Sequence, residues 1–261
     1  MKPLIIFSYG MTKCGSTLAF QLARSALQGC GFDQPRLSAS ALGNTRKINF
    51  CQHITDDMAD LILRETGEIG HPIVIKTHTS LDPAVRRLFD QGLAIGHATY
   101  RDPRDMALSM LDAGRAAMAS GAAAFSEITD MNAALQAVRD QTAKLAQWLS
   151  LPNILPLYYD DIAFDSADVA ERMLAQLGQQ GNAAAIADKA KSARFTQFNK
   201  GVRDRYRLEM SVEESASIAR AFAPFIANLI TNRAQLVTGR AIELGNPDHI
   251  HIAKALAGAN Q

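Results

Sequence analysis

The sequence has no excess of charge: 27 Lys and Arg stand against 26 Asp and Glu, a formal +1 at pH 7. That excludes a global basic field of the kind that gathers nucleic acid, so any anionic ligand must be held by local charge. Cysteine is scarce as well. Cys14, Cys30 and Cys51 are too few for a disulfide framework and show no metal-ligand spacing, which suits a reducing compartment. No stretch approaches the roughly 20 apolar residues that span a bilayer. The N-terminus lacks the charged, apolar and small-residue regions of a signal peptide. Internal repeats and low-complexity linkers are missing too. These absences lead to the expectation of a soluble cytoplasmic protein, 1–261, forming one domain with no nucleic-acid, membrane or metal partner. With 48% apolar residues in 261, the chain is long enough to bury a sizeable α/β core.

What is present reads as βα alternation. Four short apolar runs, at residues 4–8, 72–76, 92–100 and 154–159, are each bounded by turn or polar residues and followed by a helix-like segment. The pattern predicts a buried parallel sheet of about four to five strands covered by helices on both faces, a three-layer arrangement. Helices are expected after Ser16, Asp102 and Asp165, and Asp102-Pro103 has the form of an N-cap followed by proline at the first helical position. Residues 131–149 place Leu135, Val138, Leu145 and Leu149 at core-facing helical spacing. The alanine-rich stretch 113–124, with Gly114 and Gly121, is expected to leave the helix as a mobile loop. From Lys189 to Tyr206 the chain turns basic and glycine-punctuated, which predicts irregular structure. A capping box, Ser211-Val212-Glu213-Glu214, then restarts a helix. The tail after about 240 is weakly patterned and expected to be mobile.

Four segments could carry chemistry. The first, Gly10-Met11-Thr12-Lys13-Cys14-Gly15-Ser16-Thr17, nearly matches the phosphate-binding pattern G-x-x-x-x-G-K-[ST]. Ser16 occupies the lysine position, however, and the lysine lies three residues earlier at Lys13. Strand, glycine loop and helix in that order put the N–H groups of Cys14 to Thr17 at a helix N-terminus, which favours an anion. A lowered pKa is the expectation for Cys14 at such a site, but the arginine of a cysteine-phosphatase loop is missing, since position 20 is Phe20. The second is Lys76-Thr77-His78, where strand alternation turns an ammonium and an imidazole to one side. The third is Arg101-Asp102-Pro103-Arg104-Asp105 through Ser109, able to bring a guanidinium and a hydroxyl onto one phosphate. The fourth is Asn199-Lys200-Gly201, which suits a second anion. Each also has a plain reading, as a turn, a structural histidine, a capped helix or a solvated loop.

Together the four segments, in this order, resemble the sulfotransferases that use 3′-phosphoadenosine 5′-phosphosulfate (PAPS). Thr12-Lys13-Cys14-Gly15-Ser16-Thr17 is similar to the P-K-x-G-[ST]-T loop around the 5′-phosphosulfate, and Lys76-Thr77-His78 to the K-T-H segment whose histidine is the catalytic base. Arg101 to Ser109 resembles R-[ND]-P-[KR]-D-x-x-x-S, where arginine and serine bind the 3′-phosphate. Tyr158-Tyr159-Asp160-Asp161 resembles Y-E-D, with Tyr159 in the position that contacts adenine, and Phe198-Asn199-Lys200-Gly201 resembles R-K-G. The resemblance implies a P-loop-like fold and a sulfuryl transfer in which Lys13 stabilises the leaving phosphate. His78 would act as base, and Lys76 would neutralise the transferred group or orient His78. PAPS would be held by Lys13, Cys14, Gly15, Ser16, Thr17, Arg101, Ser109, Tyr159, Lys200 and Gly201. Three positions depart from the pattern: Leu18 replaces the tryptophan that stacks on adenine, Thr12 the proline, and Asn199 the arginine, for which Arg203 or Arg205 could substitute.

The implied partner is a small-molecule acceptor, with a homodimer left open. Acceptor specificity is expected in residues 33–50 and 113–129, with Phe50 and His53 as candidate pocket residues. The alternatives are a P-loop small-molecule kinase, which needs lysine at position 16 and an acidic Mg²⁺ ligand at a strand end, and a non-catalytic nucleotide-binding homologue.

Overall fold

The computed structural model describes residues 4–43, 47–192 and 201–231. Strands β1 (Ile5–Gly10), β2 (Ile73–Thr77), β3 (Ala94–Tyr100) and β4 (Ile154–Tyr158) form one parallel sheet in the order β2-β1-β3-β4. The helices are α1 (Ser16–Gly29), α2 (Ala39–Leu42), α3 (Asp56–Ile69), α4 (Pro83–Asp90), α5 (Pro103–Ser120), α6 (Met131–Leu149), α7 (Tyr159–Phe164), α8 (Ser166–Gln176), α9 (Ala183–Ser192), α10 (Tyr206–Glu209), α11 (Val212–Ala221) and the short α12 (Ala223–Phe225), which runs into a π-helical turn at Ile226–Thr231. Parallel strands cannot be joined by tight hairpins, so helical crossovers cover both faces. Alternation along β1 divides the core: Ile5, Phe7 and Tyr9 pack with α4, α5 and α6, while Ile6 packs with α1, α8 and α9. None of the described helices is long and apolar enough to cross a membrane.

Because all strands point the same way, the loops leaving β1, β2, β3 and β4 meet at one edge, where ligands of open α/β sheets lie. Trp148 of α6 fixes part of that edge. Its ring stacks on Tyr9 at 4.9 Å, and its Nε1–H donates to the Thr79 carbonyl at 2.9 Å, tying down the loop after β2. The start of α5 follows the predicted cap, with Asp102 Oδ1 accepting from Arg104 N at 2.9 Å. Helix α6 spans the expected residues, and Ser211 and Glu214 form the expected capping box at α11.

Two expectations are corrected. The alanine-rich stretch does not leave the helix at 113, because α5 continues to Ser120 and ends at Gly121 with φ 68°. Gly114 is inside the helix for a packing reason: the backbone carbonyl of Ile128 passes where a side chain would stand. Nor does irregular structure begin at Lys189. Lys189 and Lys191 belong to the last turn of α9, where cations complement the helix dipole. The expectations for Phe198, Asn199 and Lys200, and for the tail after 240, lie outside the described residues.

Candidate functional site

The loop after β1 ends at Gly15, whose φ of 74° makes it a left-handed N-cap with no side chain bonding to the first turn of α1. The leading N–H groups of a 14-residue helix, with no acidic residue in its first turn, are thus left facing an opening rather than a capping oxygen. A side chain at Gly15 would be strained by that φ and would approach Tyr159 Cδ2 at 3.2 Å, closing the opening. Lys13, also left-handed at φ 67°, projects from the crown of the loop with its ammonium 5.6 Å from the Phe125 ring centroid. Burial holds its pKa below the usual lysine range, with Asp112 pulling the other way.

These residues line a cavity of about 360 Å³. Lys13, Gly15, Ser16 and Thr17 bound it on one side; Arg101, Ser109, Tyr159 and Gly201 are further lining residues, all in the sequence-based set. Arg101 is 3% exposed, and its guanidinium lies 3.9 Å from the Tyr159 ring centroid. It bonds to Asp105 at 3.2 Å and to the Val202 carbonyl at 3.3 Å, which draws the segment carrying Gly201 to the cavity wall. Its Nε–H finds no hydrogen-bond partner among the described residues. A buried cationic donor of this kind is costly unless an anion completes it.

At the end of β2, Lys76 Nζ donates to Thr17 Oγ1 at 2.8 Å. An ammonium can only donate, so the Thr17 oxygen accepts and its O–H remains available as a donor. His78 Nδ1 lies 2.7 Å from the Gly10 carbonyl. The carbonyl can only accept, so the proton sits on Nδ1 and Nε2 carries the lone pair. Burial, then the charge of Lys76, pushes the His78 pKa down to about 4. The imidazole is therefore neutral at pH 7, the form required of a base. Lys76 is pushed down to about 8 by burial, with Lys47 adding to the effect. Phe50 reaches this side of the site through a short parallel bridge with Lys76, and its ring lies 5.8 Å from that of His78.

Several sequence-based assignments find other places. The Cys14 side chain is fully buried and packs on Met106, and burial drives its pKa up to about 12, opposite to the lowered value expected of an exposed helix N-terminus. Cys14 can therefore reach a ligand only through its backbone. His53 is 76% exposed beside Asp82, remote in environment from Phe50. Arg205 is buried in a structural network with Asp112 and Glu209, at 2.8 and 2.7 Å, and does not line the cavity. Arg203 pairs with Asp165 at 3.2 Å and covers Phe164 at 4.4 Å. Lys200 lies outside the described residues.

Sequence reasoning missed Ile162, Ala163, Phe164 and Lys191, which complete the lining together with Leu18. The first three follow Tyr159 in α7, and their apolar, one-turn grouping was the available signal. Asp102, just beyond β3, is 3% exposed and committed to Arg104 through Oδ2 at 2.6 Å, which leaves it unsuited to a Walker-type metal site. Among the described residues no cluster of His, Cys, Asp and Glu could hold a metal ion.

A family model described as "Sulfotransferase domain" matches residues 3–223. No curated protein matches the chain. Among solved structures, a retinol dehydratase in complex with androsterone and the inactive cofactor PAP aligns over 88% of this chain and 82% of its own, with 16% identity and a TM-score of 0.55. Mouse sulfotransferase SULT7A1 complexed with PAP aligns over 90% of this chain and 87% of its own, with 15% identity and a TM-score of 0.57. At these identities the structural likeness is one of fold.

Proposed function

The chain belongs to the sulfotransferase family, and from that premise we propose that it transfers a sulfuryl group from PAPS to a hydroxyl or amine of a small acceptor. One observation supports this reading above the others: a single cavity joins the uncapped N-terminus of α1 with Arg101 and Ser109. A nucleotide with phosphates at both ends of its ribose fits such a pair of anion sites, and the unpartnered Arg101 Nε–H fits the second phosphate. Adenine would lie against Leu18, Ile162 and Phe164 instead of a stacking tryptophan.

The donor, when bound, supplies an activated sulfuryl group joined to a phosphate through a bridging oxygen. Transfer forms the S–O or S–N bond to the acceptor and breaks the S–O bond to that oxygen, which keeps the electron pair. Each residue then has a role set by its chemistry. Lys13 offsets charge developing on the departing phosphate, an electrostatic role. Thr17 donates its hydroxyl hydrogen while Lys76 holds its oxygen. His78 takes the acceptor proton at Nε2, and the Gly10 carbonyl steadies the resulting imidazolium through Nδ1–H. The reduced thiols of Cys14, Cys30 and Cys51 fit a cytoplasmic setting.

Thermal stabilisation by 3′-phosphoadenosine 5′-phosphate (PAP), compared with AMP and ATP, tests the donor assignment. A ligand held at both anion sites must raise the stability of the native state. The expected order is PAP well above AMP and ATP; equal shifts for all three would remove the two-phosphate reading.

A further inference from the structure

We propose that the acceptor carries a negative charge of its own, a carboxylate or phosphate, held by Lys47 and Lys144 beside His78; this rests on the sulfuryl-transfer reading above. Two independent pieces of backbone bring the lysines there. Asn49, fully buried, accepts from Leu37 N at 3.0 Å and donates to the Pro35 carbonyl at 3.0 Å, pinning the chain just after Lys47. From that anchor, Asn49 and Cys51 bond to the backbone of Lys76 at 2.7 and 3.0 Å, making a short extra edge along β2. Lys47 Nζ then lies 4.5 Å from the Phe50 ring centroid, and Phe50 faces His78.

Lys144 arrives from the opposite side on α6. Gln141 accepts from Thr12 N at 3.1 Å, and Trp148 donates to the Thr79 carbonyl at 2.9 Å. Residues 141, 144 and 148 follow helical spacing, so Lys144 sits on the stripe between those contacts, facing the gap that holds His78. The charges that act on His78 are those of Lys76, Lys47 and Lys144, with no carboxylate among them. Asp112, the acid whose charge acts on Lys13, is paired with Arg205.

Neither Lys47 nor Lys144 lines the donor cavity, and the donor's phosphates have Lys13, the α1 N-terminus and Arg101. Two further ammonium groups around a neutral base therefore fit the acceptor rather than the donor. Phe50, in contact with Lys47 and with His78, supplies an apolar wall beside them. The structure thus favours a compact hydroxylated or amino compound with an oxyanion near its nucleophile over a neutral apolar alcohol.

The test uses two matched pairs with the PAP-loaded full-length protein: 4-hydroxybenzoate against its methyl ester, and glucosamine 6-phosphate against glucosamine. Binding is read by calorimetry, and turnover with PAPS is read in parallel. The expected result is tighter binding of the acidic member of at least one pair, and which pair responds separates carboxylate from phosphate. Lys47→Ala and Lys144→Ala are each expected to reduce that preference roughly tenfold, as for one charge-assisted contact at a partly solvated site. Lys144→Arg should keep it. PAP stabilisation, unchanged in these variants, reports that they fold and that the donor site is intact. Equal binding within both pairs, or no binding by either, overturns the proposal, as does a preference that survives both alanine variants. Loss of PAP stabilisation in the unaltered protein instead refutes the donor reading beneath it.

Discussion

Replacing His78 with alanine removes the group whose geometry is most closely defined for proton transfer. Nδ1 is held by the Gly10 carbonyl at 2.7 Å, so only Nε2 can accept a proton. Lowering of the pKa from 6.5 to about 4 corresponds to ~3 kcal/mol of preference for the neutral ring. At pH 7 Nε2 is thus almost fully available as a proton acceptor before a ligand binds. A positioned general base contributes about 10²–10⁴-fold, so His78→Ala should lower kcat by that factor while PAP stabilisation persists. The assay is transfer of a labelled sulfuryl group, paired with NMR titration of the His78 ring. In the ligand-free protein the ring should titrate near 4. With PAP bound it should titrate higher, because the ligand's negative charge opposes that of Lys76. Near-normal kcat in His78→Ala would refute the assignment, and so would an ordinary midpoint of 6.5 in the free protein.

Arg101→Ala should weaken PAP by about 10- to 100-fold, the cost of losing a charge-assisted contact of roughly 1.5–3 kcal/mol, with kcat at saturating donor much less affected. Calorimetry against PAP and AMP checks this, since AMP lacks the phosphate that Arg101 would meet. Phe164→Ala should weaken PAP by about 1 kcal/mol through lost ring contact, and the loss should vanish when ribose 5-phosphate replaces the nucleotide. His97 is 1% exposed, bonds to Ser8 Oγ at 2.8 Å, and has its pKa pushed down to about 3 by burial. His78 and His97 are both depressed in the folded state, so the unfolded chain binds more protons below pH 6.5. Stability should be fully present above 6.5 and fall as pH drops toward 4 and then 3. Denaturant melts across pH measure that slope; a flat profile from 6.5 to 4 would contradict the buried neutral state of both rings.

The sheet was legible because a doubly covered parallel strand leaves a short apolar run, and each run here is followed by a helix pattern. That Lys13, Arg101 and Ser109 line one cavity was legible because strand–loop–helix order gathers such residues at one edge of a parallel sheet. Cys14 was misread for the complementary reason. The loop position suggests an exposed thiol, but the side chain turns into the core against Met106, and a local motif carries no information on burial. Gly114 looked like a helix breaker because its partner, Ile128, is set by tertiary packing. Lys47 and Lys144 were invisible at the sequence level. They come from an edge segment and a distant helix, and only the bonds of Asn49, Gln141 and Trp148 bring them to one place.

The central claim is sulfuryl transfer that depends on the displaced loop lysine. Its most direct measurement follows the label from sulfur-labelled PAPS onto a panel of acceptors, with Lys13→Ala alongside. The account predicts labelled product from the unaltered protein and a loss of at least about 10²-fold in Lys13→Ala, the scale of one removed donor at a developing oxyanion, while PAP stabilisation is largely kept. Labelled product formed equally well by Lys13→Ala, or no transfer to any acceptor by a protein that binds PAP, would contradict it.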